Sequence, residues 1–261
     1  MERKWTFHPH DEAGIRRLCG QLKISPLLAQ VLIARGLSLQ EMALRRHLDA
    51  AVDQATFIAD AIRDGRYKFS DPALDDFISG TMAAAPQIGG LILAGPSGKA
   101  LRVVRGASNS TLQLDHFDLT GDRQLAEIAD EIRLRKDPHW GPPVYRERAQ
   151  TTSLNYRMPI RKGDRYLGFV AVAVSTHALS ILCTELSEPP RSLAFMLYGQ
   201  DRVLAHPAML GGSRPGSEAA PLHLLRTFGD RVIENFSTAQ PLDKAGQISV
   251  NNNMPDIRSL R

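Results

Sequence analysis

Cysteine is nearly absent from this sequence. Only Cys19 and Cys183 occur in 261 residues, far apart, each inside an apolar helical pattern and neither with metal-ligand spacing around it. A disulfide framework and a zinc site are therefore not expected. Long uninterrupted apolar runs are lacking too. The nearest, "YLGFVAVAVSTHALSILCTEL" at 166–186, carries Ser175, Thr176 and His177 at its centre, where a bilayer penalises polar groups most. It reads as a buried strand followed by a helix. The N-terminal "MERKWTFHPHDE" has no apolar core of the kind a secretory signal needs, so the chain as written is expected to be soluble and cytoplasmic. Charge of one sign is not concentrated anywhere: 32 Lys and Arg are dispersed among 28 Asp and Glu, for a net charge of +4, which makes a weak case for nucleic acid binding. What remains, 43% hydrophobic and 23% charged residues, is the composition of an ordinary globular protein of one or two domains.

Helical signals dominate the first 65 residues. "DEAGIRRLCGQL" places Ile15, Leu18, Cys19 and Leu22 on one face, and "SPLLAQVLIARG" has a Ser cap, Pro at the first helical position and a terminal Gly36. Ser38 and Glu41 stand at capping-box spacing. A longer helix is predicted over 42–64, with Leu44, Leu48, Val52, Ala55, Ala59 and Ile62 at steps of four and three. That period suits packing on the chain's own sheet or a seam between two copies, and both can hold at different heights of one helix.

Beyond Gly65 the pattern reads as strands. "IGGLILA" and "KALRVVR" flank the turn "GPSG", and "TLQLD" follows as a third strand. A helix is predicted over 122–135, with Leu125, Ile128, Ala129 and Ile132 inward. "TTSLNYRMPI" and "YLGFVAVAV", joined by "RKGDR", form a long antiparallel hairpin, its second strand apolar enough to be central. The expectation is an α+β domain with a twisted antiparallel sheet and helices on one face. A further hairpin turns at Gly199 and Asp201, "LHLLRTFGDRVIENF" reads as a helix interrupted at Gly229, and "QISVNNNMPDIRSLR" reads as a frayed tail.

No catalytic constellation emerges. "GPSGKA" has two residues between its glycines rather than four, and Ala100 where a phosphate loop needs Ser or Thr, so it is a hairpin turn. His8 and His10 lack a third ligand. His177 and Ser180 lie at i, i+3 without an acid to orient the imidazole. His206, at a strand end, suits a hydrogen bond with the loop backbone. "NST" at 109 and "NFS" at 235 are common chance patterns. The segment "HWGPPVY" at 139–145 is the unusual one. Pro142 and Pro143 fix the backbone between Trp140 and Tyr145, which suits either an organised lid over a ligand or an apolar corner sealing a sheet edge.

Two resemblances accompany these patterns. Trp5, "PHDE" at 9–12, "LCGQLKISPLLAQVLIARGL" and the helix at 41–48 resemble the N-terminal segment of RecJ-type single-strand-specific exonucleases. The aspartate-rich metal motifs of that family are missing, "LDHFD" at 114–118 being the nearest string, so nuclease activity is not implied. Over about residues 45–210, "LDAAVDQATFIADAIRDG", "PQIGGLILAGPSGKALRV", "WGPPVY", "MPIRKGDRYLGFVAVAVSTHALS" and "VLAHPAM" resemble the double-Cache sensor domain of bacterial chemoreceptors, histidine kinases and adenylate/guanylate cyclases. This second resemblance implies a PAS-like antiparallel sheet with flanking helices, hung on a long helix and followed by a truncated second module. The implied division is an exonuclease-like helical segment at 1–41, a connecting helix at 42–64, a ligand-binding domain at 65–188, and a partial second module with the tail at 189–261. The two together imply a composite chain, with a periplasmic location in a full-length parent.

The same resemblance implies a non-catalytic, small-molecule-sensing input domain with no cofactor and no metal. Trp140, Tyr145 and Tyr156 become candidate ligand contacts at the lid, and Arg133 or Arg135 the holder of a carboxylate or other anion. Amino-acid-binding relatives carry an Asp where this chain has Ala173, so a ligand ammonium would lose a charge-assisted bond worth about 1.5–3 kcal/mol. The implied partners are a small ligand and, through the helix at 42–64, a second copy. Nucleic acid is the partner only if the exonuclease resemblance governs.

Overall fold

The computed structural model describes residue 16 and residues 39–106, 111–147, 150–187, 193–199, 201–211, 216–230 and 257–260. The chain divides into two units, Met1–Arg46 and His47–Arg261. Apart from Arg16 and the start of the long helix, the first unit lies outside the described residues. So do most of the exonuclease-like segment, Cys19, His8 and His10, and the asparagines of both glycosylation patterns.

Helix α1 is Leu39–Arg63. Of the predicted stripe in the second unit, Leu48, Ala55, Ala59 and Ile62 are buried and Val52 is half-buried, while Ala51 and Ile58 are buried besides. Helix α2, Ala73–Ala84, buries Leu74, Ile78 and Met82 at steps of four. It corrects the reading of strands directly after Gly65. Its first free N–H, on Ala73, donates to the Asp71 carboxylate at 2.9 Å, as a helix start requires. The two helices pack on one another: Phe77 stacks on Tyr67 with centroids 4.3 Å apart and meets Phe57 of α1 at 5.7 Å.

Seven strands form the main sheet: β1 Gly90–Ala94, β2 Lys99–Arg105, β3 Leu112–Asp118, β4 His139–Trp140, β5 Val144–Arg146, β6 Thr151–Lys162 and β7 Arg165–Ser175. The order is β3-β2-β1-β7-β6-β4, with β5 also on the outer edge of β6, and every pairing is antiparallel. The β1–β2 and β6–β7 hairpins fall where the sequence placed them, with Gly98 and Gly163 at positive φ in their turns. Helix α3, Arg123–Leu134, is capped by the Asp122 carboxylate, which accepts from Leu125 N–H. Helix α4, Thr176–Leu186, is capped in the same way by Ser175.

Helices cover both faces of this sheet, not one. Leu125 and Ile132 of α3, flanked by Ile128 and Ala129, pack on Ala94, Ala100, Phe169 and Ala171. On the opposite face Asp75 of α2 pairs with His116 of β3 at 2.9 Å. Arg105 of β2 donates from Nη2 to the Ala85 carbonyl, just past the end of α2, at 3.2 Å. A central strand buried on both sides reads as a continuous apolar run rather than an alternation, which is what "GFVAVAV" is.

The second sheet has the order β10-β9-β8-β11, built from β8 Phe195–Tyr198, β9 Arg202–Ala205, β10 His223–Leu224 and β11 Ile257–Leu260. Its core joins Phe195, Leu197, Val203, Leu225 and Phe228. Two readings change here. Residues 223–227 form a short strand and a 3-10 turn, not a helix. The end of the presumed tail pairs with β8, Ile257 opposite Tyr198. Among the described residues no helix is long and apolar enough to cross a membrane.

Candidate functional site

Register decides which side chains meet. In the sheet, residues directly paired across strands share a face and neighbours along a strand alternate. His139 stands opposite Arg157, and Trp140 opposite Tyr156. Tyr145 stands opposite Thr152, and Arg146 opposite Thr151. One face therefore carries His139, Arg146 and Arg157, and the other carries Trp140, Tyr145 and Tyr156.

The arginine face lies under α3. Arg157 donates from Nη1 to Oε2 of Glu131, and Nε2 of His139 is 3.1 Å from Oε1 of the same carboxylate. The other imidazole nitrogen, Nδ1, is 3.3 Å from the Asp137 carbonyl. Arg135 Nε lies 3.8 Å from Glu131 Oε1. Nearer the start of α3, Arg146 Nη1 donates to Gln124 at 2.6 Å and is 3.9 Å from the Asp122 carboxylate. Burial, opposed by Glu131 and reinforced by the charges of Arg146 and Arg135, lowers the pKa of Arg157. Burial likewise lowers that of Arg146, with Asp122 opposing and Arg102 adding to the effect. These cations crowd one another in a partly desolvated space.

Arg157 is the centre of this cluster. Its side chain is only 2% exposed, against 41% for Glu131. Nη1 is engaged by Glu131, while Nε is buried with no acceptor among the described residues, a condition that costs about 1–3 kcal/mol. The guanidinium fits because residue 141 is glycine: a Cβ there would lie 2.3 Å from its Cζ. Half-buried Asn155 and Ala173, directly paired, continue the same face beside it.

The residues singled out from sequence do not converge on one site. Trp140 and Tyr156 pack together on the face away from α3, with centroids 5.3 Å apart, and Tyr145 is buried on that face. "HWGPPVY" is a broken edge strand: β4 and β5 both pair with β6, and the two prolines, which have no N–H to give a ladder, fill the gap between them. Trp140, Tyr145 and Tyr156 thus lie on the face away from α3, whereas Arg133 and Arg135 stand at the end of α3 over the other face. Arg133 is occupied elsewhere. Its guanidinium lies 5.7 Å from the Tyr166 ring, and its carbonyl accepts from Arg161 at 2.7 Å. Arg135 alone of that pair reaches the cluster.

No protein-family model matches the chain, and no curated protein does so. Solved structures are similar in fold. The sensory domain of the Campylobacter jejuni chemoreceptor Tlp3 is 11% identical at a TM-score of 0.49, over 75% of this chain and 72% of that one. The extracellular domain of a histidine kinase is 16% identical at 0.47, over 76% and 73%. The ligand-binding domain of the Pseudomonas aeruginosa amino acid chemoreceptor PctC, in complex with GABA, is 14% identical at 0.47, over 72% and 75%.

Other candidates from the sequence resolve into structural roles. His206 Nδ1 accepts from Ala208 N–H at 3.0 Å, the backbone role expected for it. Ser180 donates to the Thr176 carbonyl at 2.7 Å and His177 is exposed, so the two form no nucleophile–base pair. Cys183 is buried and unpaired by any disulfide, its thiol pushed up to about 12 by burial. Among the described residues no group of three or more His, Cys, Asp or Glu is placed to hold a metal.

Proposed function

We propose that the chain is a non-catalytic, small-molecule-sensing input domain of the Cache type, with its ligand site on the α3 face of the main sheet. The observation that carries this reading is Arg157, a nearly inaccessible cation on a central hairpin whose Nε has no acceptor among the described residues. Buried charge of this kind is expensive to keep for packing alone, and it concentrates where ligands are recognised. A small carboxylate or other anion suits the site, with Arg157, Arg146 and Arg135 as its cationic wall. Ala173 offers no counter-charge for an ammonium. In this reading the broken edge strand is the lid, and Trp140, Tyr145 and Tyr156 anchor it from behind. Closure of the lid changes the packing of α3, and α1 forms the seam through which a second copy feels it. A ligand shifts such an equilibrium only by its differential affinity for the two states.

A thermal-shift screen of the full chain against small carboxylates, amines and purines, run beside a single-strand DNA titration, tests the proposal. A metabolite that raises Tm supports sensing. Tight, salt-dependent DNA binding with no metabolite effect favours the exonuclease-like alternative instead.

A further inference from the structure

We infer that the Glu131 carboxylate occupies the position that the ligand's own carboxylate takes, so that it acts as a tethered competitor linking ligand binding to α3. The inference rests on the sensing reading above. Arg157 and His139 stand opposite each other on β6 and β4, and each directs a nitrogen at a different oxygen of Glu131. The two donors belong to the sheet and the acceptor to α3. Both donors are buried, at 2% and 8% exposure, whereas the carboxylate between them is 41% exposed. The replaceable member of the cluster is therefore Glu131, which can turn into water, while the guanidinium and the imidazole have nowhere to go.

The geometry also favours replacement by a carboxylate over other groups. Glu131 bonds the guanidinium through Nη1 and leaves Nε without an acceptor among the described residues. A free carboxylate is able to take two parallel N–H groups of the same guanidinium. A group tethered in place competes at an effective concentration of about millimolar, which keeps the affinity for a monocarboxylate low until the tether is removed. Once Glu131 leaves, α3 loses its side-chain bonds to His139 of β4 and Arg157 of β6 and keeps the one from Arg161 to the Arg133 carbonyl. Binding thus reads out as a change in how one helix is held to the sheet.

The test is titration calorimetry of the full chain with sodium propionate at fixed ionic strength, with propionamide as neutral isostere and propylamine as cation. Glu131→Gln is expected to bind propionate about tenfold tighter than the wild type, and Arg157→Met at least tenfold weaker. Neither change should affect propionamide. Equal or weaker propionate binding by Glu131→Gln, or equal binding of propionate and propionamide, overturns the inference. If Glu131→Gln does not fold, the wild type supplies a second measurement. The Arg157 Nε–Hε resonance, assigned by its loss in Arg157→Lys, must move with propionate and not with propionamide; a resonance that stays still overturns the inference. If wild type and Glu131→Gln both ignore propionate while an amine or purine raises Tm, this inference falls and the sensing reading stands.

Discussion

On the α2 side of the main sheet Leu93, Leu154, Val170 and Val172 are fully buried. On the α3 side the alternate positions of the same strands carry Ile92, Asn155, Arg157 and Ala173, three of them half-buried. The strands are shared, so secondary-structure propensity cannot account for the contrast. It comes from what each face is packed against. The first buries a run of aliphatic side chains at its centre, whose stabilisation scales with apolar area removed from water. The second is closed in part by a charge network around Glu131, whose Coulombic gain is largely spent on desolvation. One face should therefore dominate stability and the other should dominate recognition.

The most direct way to break this comparison is a pair of truncations on one strand. Leu93→Ala is expected to lower the unfolding free energy by about 3 kcal/mol, within the range for a fully buried leucine. Its neighbour Ile92, half-buried on the α3 face, should cost about 1 kcal/mol when changed to Ala. Urea unfolding of both variants decides the matter, and equal losses would remove the distinction between the faces.

A sharper version separates charge from packing. Glu131→Gln leaves the buried Arg157 without its counter-ion and is expected to cost about 2 kcal/mol, less than a fully buried pair because Glu131 is partly exposed. Arg157→Met replaces the buried cation with an apolar side chain of similar length and should leave Tm unchanged or raise it. Scanning calorimetry of the two variants reads the asymmetry directly. Gly141→Ala comes next in size, at about 1–2 kcal/mol, because its Cβ would overlap the Arg157 guanidinium. Its propionate affinity should fall along with its stability, which is checked in the same titration.

Much of this architecture was legible before any coordinates. Period-two and period-3.6 patterns gave the two hairpins, α1 and α3, since each is long and locally self-consistent. Helix α2 contradicts the reading of strands after Gly65: Leu74, Phe77, Ile78 and Met82 do have helical spacing, but Pro72, Gly80 and Pro86 interrupt the stretch with residues that disfavour a helix interior. The pairing of residues 257–260 with β8 is non-local and leaves no trace in spacing. The site was hidden for a different reason. "WGPPVY" was recognised as unusual, yet the faces taken by Trp140 and Tyr145 depend on the register of β4 and β5 against β6. That register is long-range, and a slip of one residue would invert it. Arg157 did leave a signal: an arginine between Tyr156 and Met158, in a strand whose partner carries the apolar run 167–174, has no solvent face to occupy.

The smallest expected effect is the one that most cleanly divides the two arginines near the end of α3. Arg133 lies over the Tyr166 ring, with Arg161 5.4 Å from the same centroid. Burial raises the Tyr166 phenol from its ordinary value of 10 to about 12, and the two arginines hold it from going higher. Folding thus favours the neutral phenol. The associated stability is fully present below pH 10 and is lost as pH rises towards 12, where the unfolded chain ionises first. Arg133→Gln removes a partly solvated cation, so it should change stability by less than about 0.5 kcal/mol. It should move the phenol further upward in an ultraviolet titration and leave propionate affinity within about twofold. Loss of propionate binding in Arg133→Gln would return the anion site to the helix end and away from the Arg157 cluster, because the sheet gives Arg133 no route to that cluster except through α3 itself.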